Sequence, residues 1–276
     1  MLDQDEFFKK ICDSYLSPPT FVDGKELPGF PSETVQANTT GQAGVDTLKE
    51  AFTFYQDCTN VFIQLGNPLA SQHNLLDFGV GWGRISRFFL RDLPLEHIYG
   101  IDVMNEFVQI CKQTFNSDNF AVCNPFPPTD ISDGHIDYIV GYSVFSHLSE
   151  KACVSWMKEF HRILAPNGIV ALTTRGRHFF DFCEGLKAEE HTGYLGALSR
   201  MFPDFSEARV RYDNGQFVHA NSDGVNGGGA MTSEFYGETF IPETYASVAY
   251  SEWFTLERFL FDPSRQTHPI MFFRKK

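Results

Sequence analysis

LLDFGVGWGR, residues 75–84, is the stretch that decides the fold. Leu75, Leu76 and Phe78 have the apolar content of a short buried strand, and three glycines, Gly79, Gly81 and Gly83, follow before the next apolar run opens at Ile85. Glycine adopts backbone angles closed to other residues and lets a ligand approach the chain closely. A strand that ends in such a turn and hands over to a helix marks the ligand edge of an open α/β sheet. A lone G-x-G-x-G turn serves equally well as a tight connection with no ligand, so the surrounding sequence has to decide.

Upstream, residues 46–65 carry apolar side chains at Leu48, Ala51/Phe52, Tyr55, Phe62 and Leu65, the period of a helix with one buried face. Downstream, a helix with Ile85, Phe88 and Phe89 on its inner face stops at Leu93-Pro94. A strand over 97–101 follows, then a helix that buries Met104, Phe107/Val108, Cys111 and Phe115, strands over 120–123 and 136–140, a helix over 149–164 and a strand over 169–174. Strands that alternate with helices make a parallel sheet, and right-handed crossovers put the helices on both faces, which predicts a doubly wound sheet. Residues 254–261 and 269–273 read as a closing antiparallel hairpin around Asp262-Pro263-Ser264. Residues 1–45 form an N-terminal cap segment and residues 46–276 one domain. The stretch 175–245 is too long and polar for a connector, and with its glycine-rich run at 224–229 it reads as an insertion or lid.

Composition removes several classes. A net charge of -13 repels phosphate backbones, and the basic residues are scattered apart from Arg274, Lys275 and Lys276, so no nucleic acid partner is expected. No apolar run reaches bilayer length, and Asp3, Asp5 and Glu6 make the N-terminus unlike a signal peptide, so no membrane partner and a cytoplasmic location are expected. The 6 cysteines lack a C-x-x-C pair and the 9 histidines lack H-x-x-x-H or H-E-x-x-H spacing, which predicts reduced packing thiols and no metal site. The 29 phenylalanines point to an aromatic core.

Asp102, closing the second strand in GIDVM, supplies what the glycine turn needs: an acid placed to accept hydrogen bonds from ribose hydroxyls. A nicotinamide-dependent oxidoreductase shares that acid, but its third glycine or alanine is here Arg84. Asp77, two residues before the first glycine, suits a cofactor that carries an ammonium group.

DFGVGWG resembles the first motif of the class I S-adenosylmethionine-dependent methyltransferases, GIDVM the second, FPPTDISDGHIDYIVGYSVFSHL the stretch around the fourth strand, and HRILAPNGIVALTT the helix and fifth strand. The resemblance covers 75–174, and more weakly the end HPIMFFRKK. It implies an α/β, doubly wound, mostly parallel seven-stranded sheet (a Rossmann-like methyltransferase fold) with a reversed last hairpin, here with an N-terminal helical cap and a late lid insertion. It also implies S-adenosyl-L-methionine as cofactor. Asp77 and the backbone of Gly79, Gly81, Trp82 and Gly83 would then face its methionine part, Asp102 the ribose, and Val103 and Met104 the adenine. Where relatives often carry an acid against the adenine, this chain has Cys123-Asn124, leaving Asn124 as the substitute. Trp82 would pack beside the cofactor and Arg84 would pair with an acid of the lid, although both positions also suit structural roles.

Methyl transfer to a hydroxyl gains from a nearby base. YSVFSHL places Tyr142, Ser143, Ser146 and His147 just beyond the fourth strand, where the resemblance implies the acceptor approaches, and makes His147 the candidate base and Tyr142 a second catalytic or cofactor-lining residue. A histidine that merely packs on the next helix is the bland alternative. The expected function is transfer to a small-molecule or glycan-type acceptor, at oxygen in preference to nitrogen or carbon. Phe235, Tyr236 and Tyr245 would wall the acceptor, with His219, Glu234 and Glu238 as polar contacts. The rival readings are a non-catalytic cofactor-binding or partner subunit of the same fold, the oxidoreductase, and an insertion that only makes a contact in a homodimer.

Overall fold

The computed structural model describes residues 2–222, 224–225, 227 and 231–276. The chain divides into two compact units, Met1–Cys123 with Ile136–Val140, and Asn124–His135 with Gly141–Lys276.

In the first unit α1 (Gln4–Leu16) opens on a reciprocal cap: Asp3 accepts from the Glu6 amide at 2.8 Å, and the Glu6 carboxylate accepts from the Asp3 amide. This satisfies two amides that the first turn would otherwise strand. A small hairpin, β1 (Phe21–Val22) and β2 (Lys25–Glu26), leads to α2 (Glu33–Thr40) and to the long α3 (Gly44–Gln64), whose buried face includes Leu48, Phe52, Tyr55 and Phe62, as the periodicity predicts. Phe8 of α1 stacks on Phe52 of α3 at 4.6 Å between ring centroids. Then come β3 (Leu75–Phe78), α4 (Ser86–Phe89), β4 (Ile98–Asp102), α5 (Asn105–Phe115), β5 (Phe120–Val122) and β6 (Ile136–Gly141). β3 pairs in parallel with both β4 and β6, and β4 with β5.

Two expectations need correction here. The helix after the glycine turn is a single turn, because the amides of Phe88, Arg91 and Asp92 reach back three residues, to Ile85, Phe88 and Phe89, and wind tight turns at both ends. The second strand begins at Ile98, since Leu95–His97 forms a turn of 3-10 helix.

The second unit holds α6 (Glu150–Ile163), capped by Ser149, and β7 (Leu164–Thr173), which starts at once after the helix rather than at 169. α7 (His178–Gly185), α8 (Gly193–Arg200), α9 (Phe205–Asp213), β8 (Val218–Ala220), β9 (Glu238–Phe240), α10 (Glu243–Ala249), β10 (Phe254–Leu260) and β11 (Ile270–Lys275) follow. The stretch 175–245 thus carries regular structure and a core of its own, with Phe180, Phe202, Phe205, Val218 and Phe240 buried together and Phe180 stacked on Phe240 at 3.9 Å. Of the glycine run, Gly228 and Gly229 lie outside the described residues. β11 is antiparallel to both β7 and β10, so β10 runs with β7 and only the last strand is reversed. The seven-stranded sheet has the order β10-β11-β7-β6-β3-β4-β5, the mostly parallel Rossmann-like sheet expected. Among the described residues no helix is long and apolar enough to cross a membrane.

Candidate active site

Register places the first cluster. Phe78 pairs with Ile101, so the turn that leaves β3 sits beside the last residue of β4. The amides of Gly79 and Val80 both donate to the Ile101 carbonyl, at 2.8 and 3.0 Å, and pin the turn there. Gly81 then donates its amide to Asp102 Oδ2 at 2.9 Å, while Met104 donates to Oδ1 at 2.8 Å. Asp102 is held at the turn by two backbone amides, and each carboxylate oxygen keeps acceptor capacity for a further donor. Burial raises its pKa and the backbone amides of Met104, Gly81 and Val103 work the other way.

The turn itself is open where a ligand would need it. Gly81 has φ +52°, and a Cβ built on it would meet no atom of the described residues within 4 Å. At Gly83, φ +79°, a Cβ would come within 2.4 Å of the Phe115 ring, so that glycine serves helix packing. Val103 and Met104 are half-buried at the end of β4. Trp82 is buried, and its indole N–H has no hydrogen-bond partner among the described residues. Its ring lies 5.0 Å from the Arg87 guanidinium, which also covers Phe30 at 4.0 Å and donates to the carbonyls of Pro28 and Gly29. Arg87 therefore ties the N-terminal segment to the helix that follows the turn, and burial pushes its pKa down to about 9. Arg84 salt-bridges Glu50 of α3 and donates to the Thr47 carbonyl at 3.1 Å, the structural role left open for it.

Asp77 is enclosed and accepts from the Ser86 hydroxyl at 2.7 Å. Burial lifts its pKa to about 7; the hydrogen bonds from Ser86 pull it back, and Asp102 adds to the rise. An acid raised in the folded state binds its proton more tightly there than in the unfolded chain. Its contribution to stability is therefore fully present below the unfolded value near pH 4 and is lost as pH rises to about 7. Asp77→Asn removes this loss, so denaturant titrations of the cofactor-free protein from pH 4 to 8 should show the variant gaining on the wild type as pH rises. A constant difference between the two would refute the assignment.

Asn124, Tyr142 and His147 lie in the other unit. Asn124 is exposed and Tyr142 buried, its ring 5.4 Å from that of His268. Ser143 takes φ +60°, a strained angle for serine, with its amide donating to Thr173 Oγ1 at 2.7 Å. His147 follows on a tight turn. Its Nδ1 lies 2.8 Å from the Gly237 carbonyl and 3.2 Å from Glu238 Oε1, its Nε2 lies 3.4 Å from Ser143 Oγ, and its ring stacks on Tyr236 at 4.8 Å. A carbonyl and a carboxylate only accept, which assigns the proton to Nδ1 and leaves Nε2 with its lone pair.

Glu238 and Arg175 are the residues whose positions here sequence reasoning missed. Glu238 figured only as a polar contact of the insertion, and Arg175 as its first residue. α6, β7 and most of the insertion separate His147 from Glu238, and only the pairing of 235–241 with the His147 loop brings them together: Gly237 donates to the His147 carbonyl, Thr239 to that of Ser146, and Ser149 to that of Phe235. No spacing rule could have shown it.

Residues 76–170 match the family model described as a methyltransferase domain. No curated protein sequence matches the chain. Among solved structures it is similar to an S-adenosylmethionine-dependent methyltransferase from Mesorhizobium loti, at 12% identity and TM-score 0.52, covering 77% of this chain and 95% of that one. A protein of Listeria monocytogenes assigned to the same enzymes has 13% identity and TM-score 0.52, covering 82% and 99%. These likenesses are of fold. The family match runs from inside β3 to inside β7 and takes in the glycine turn, Asp102 and the His147 loop, so this stretch of the chain carries a methyltransferase domain.

Proposed function

We propose that the enzyme methylates a hydroxyl of a small-molecule or sugar-like acceptor, with His147 as the base. The observation that carries this reading is the His147 ring itself: its proton is committed to Nδ1 and its Nε2 lone pair faces the Ser143 hydroxyl. When bound, the cofactor supplies an electrophilic methyl on a sulfonium. His147 Nε2 takes the acceptor's proton as the oxygen attacks. Alignment of the reacting atoms carries most of the remaining rate. Tyr142 lines the reacting centre. The walls around Phe235, Tyr236 and Tyr245 exclude water and select the acceptor. The net charge of -13 argues against nucleic acid as that acceptor.

On the cofactor side, Asp102 accepts from the ribose hydroxyls, Asp77 faces the ammonium, the turn of Gly79, Gly81, Trp82 and Gly83, open at Gly81, admits the methionine part, and Val103, Met104 and Asn124 border the adenine. The open space at Gly81 and the remaining acceptor capacity of Asp102 fit such a group. Asp102→Ala removes hydrogen bonds to a charged acceptor and should weaken cofactor binding about ten- to a hundredfold. Calorimetry that finds unchanged affinity would remove Asp102 from the site.

The acceptor is tested by incubating the enzyme with methyl-labelled cofactor and a metabolite extract, followed by mass spectrometry. A labelled small molecule whose label survives on oxygen supports the reading. Label that enters only nitrogen, carbon, protein or nucleic acid overturns it.

A further inference from the structure

We propose that Glu238 is a positioning residue for methyl transfer: it fixes the His147 imidazole with its proton on Nδ1 and holds the positive charge that the ring takes up. The proposal rests on the reading of His147 as the base.

The backbone delivers Glu238 to this place. β9 meets the His147 loop through Thr239, whose amide donates to the Ser146 carbonyl and whose carbonyl accepts from the Arg175 amide, and it pairs antiparallel with β8. The Glu238 side chain is fully buried there. Its Oε1 faces His147 Nδ1 at 3.2 Å and accepts from the Tyr194 hydroxyl of α8, while its Oε2 accepts from Arg175 Nε at 2.9 Å. Both oxygens are thus committed, and the carboxylate cannot rotate away from the ring without losing the Arg175 bond. Tyr236, stacked within 2° of parallel, fixes the ring plane.

The charges then decide what Glu238 does. Arg175 and Glu238 balance one another while His147 is neutral. In the transfer, the oxygen–methyl bond forms as the methyl–sulfur bond breaks, the bonding pair returns to sulfur, and the hydroxyl proton passes to His147 Nε2. One positive charge leaves the sulfonium and one appears on the imidazole. In a buried setting that new charge needs a fixed counter-ion. Glu238 fills that role and does not take the proton itself: burial alone would raise its pKa, but His147, Arg175 and Tyr194 hold it well below the ordinary carboxylate range. The neighbouring groups add no competing charge. His219 of β8, half-buried and with its pKa pushed down by desolvation to about 4, remains neutral with Nδ1 on Thr239 Oγ1 at 2.7 Å. His268 meets Arg175 at Nε2, 2.7 Å away, and therefore accepts there, with its own proton toward Thr267.

Nitrogen-15 NMR of the full chain tests the proposal without substitution: the neutral His147 should be the Nδ1–H tautomer, and finding the proton on Nε2 would overturn it. In Glu238→Gln the acidic limb of the kcat profile should move to lower pH, and kcat should fall by roughly tenfold or more with cofactor affinity unchanged. Glu238→Asp, which restores the charge, should return part of the loss. A purely structural Glu238 would lower Tm and leave the acidic limb where it was, and that result overturns the proposal. Should His147→Gln keep normal turnover, the base reading fails while the tautomer result stands by itself, so the two failures are distinguishable.

Discussion

His147→Gln is expected to lower turnover by about a hundredfold or more while cofactor affinity stays at the wild-type level. Glutamine can still offer a donor toward the Gly237 carbonyl and Glu238, so much of the local packing survives. It has no lone pair that binds a proton near neutral pH, so the acceptor hydroxyl must then lose its proton to water. The effect therefore falls on kcat and leaves binding alone, which separates a base from a residue that shapes the cofactor site. Loss of one imidazole hydrogen bond also costs stability, of order 1 kcal/mol, and rates should be compared well below the variant's unfolding midpoint. Normal turnover would make His147 a packing residue, stacked on Tyr236 and bonded to Gly237 for the sake of the fold.

What could be read from the sequence followed the range of the interactions involved. The central alternation was legible because each element carries its own signal: α3 buries one helical face, β3 is short, apolar and stopped by glycine, and Asp102 ends β4 at a fixed pairing from the turn. The proposed cofactor edge follows from these local facts. The insertion was illegible for the opposite reason. α7, α8 and α9 span only 8, 8 and 9 residues, too short to display a clear period, and their core depends on pairs such as Phe180 with Phe240 that lie far apart in the chain. The same holds for the proposed base. YSVFSHL marked His147, but the carboxylate beside it arrives on β9, through backbone pairing that no residue pattern encodes. At β11 the hairpin signal gave the antiparallel pairing correctly, while the insertion of that strand between β7 and β10 is a matter of sheet topology.

Gly81→Val should cost still more in binding, at least a hundredfold in cofactor affinity, about 2.7 kcal/mol or more, with the fold retained. Two effects combine. Gly81 sits at φ +52°, where a β-branched residue is strained by about 1–2 kcal/mol, and relief of that strain would pull the amide away from Asp102 Oδ2. Because a Cβ at this position meets no atom of the described residues within 4 Å, the new side chain projects into open space, the space a ligand against the turn would fill. Gly83→Ala provides the contrast, since its Cβ would come within 2.4 Å of the Phe115 ring. That variant should lose stability first, through packing, whereas Gly81→Val should lose affinity first. Thermal unfolding of the cofactor-free proteins and calorimetry with S-adenosylhomocysteine separate the two. Wild-type affinity in Gly81→Val would mean that the cofactor does not approach the backbone at this turn.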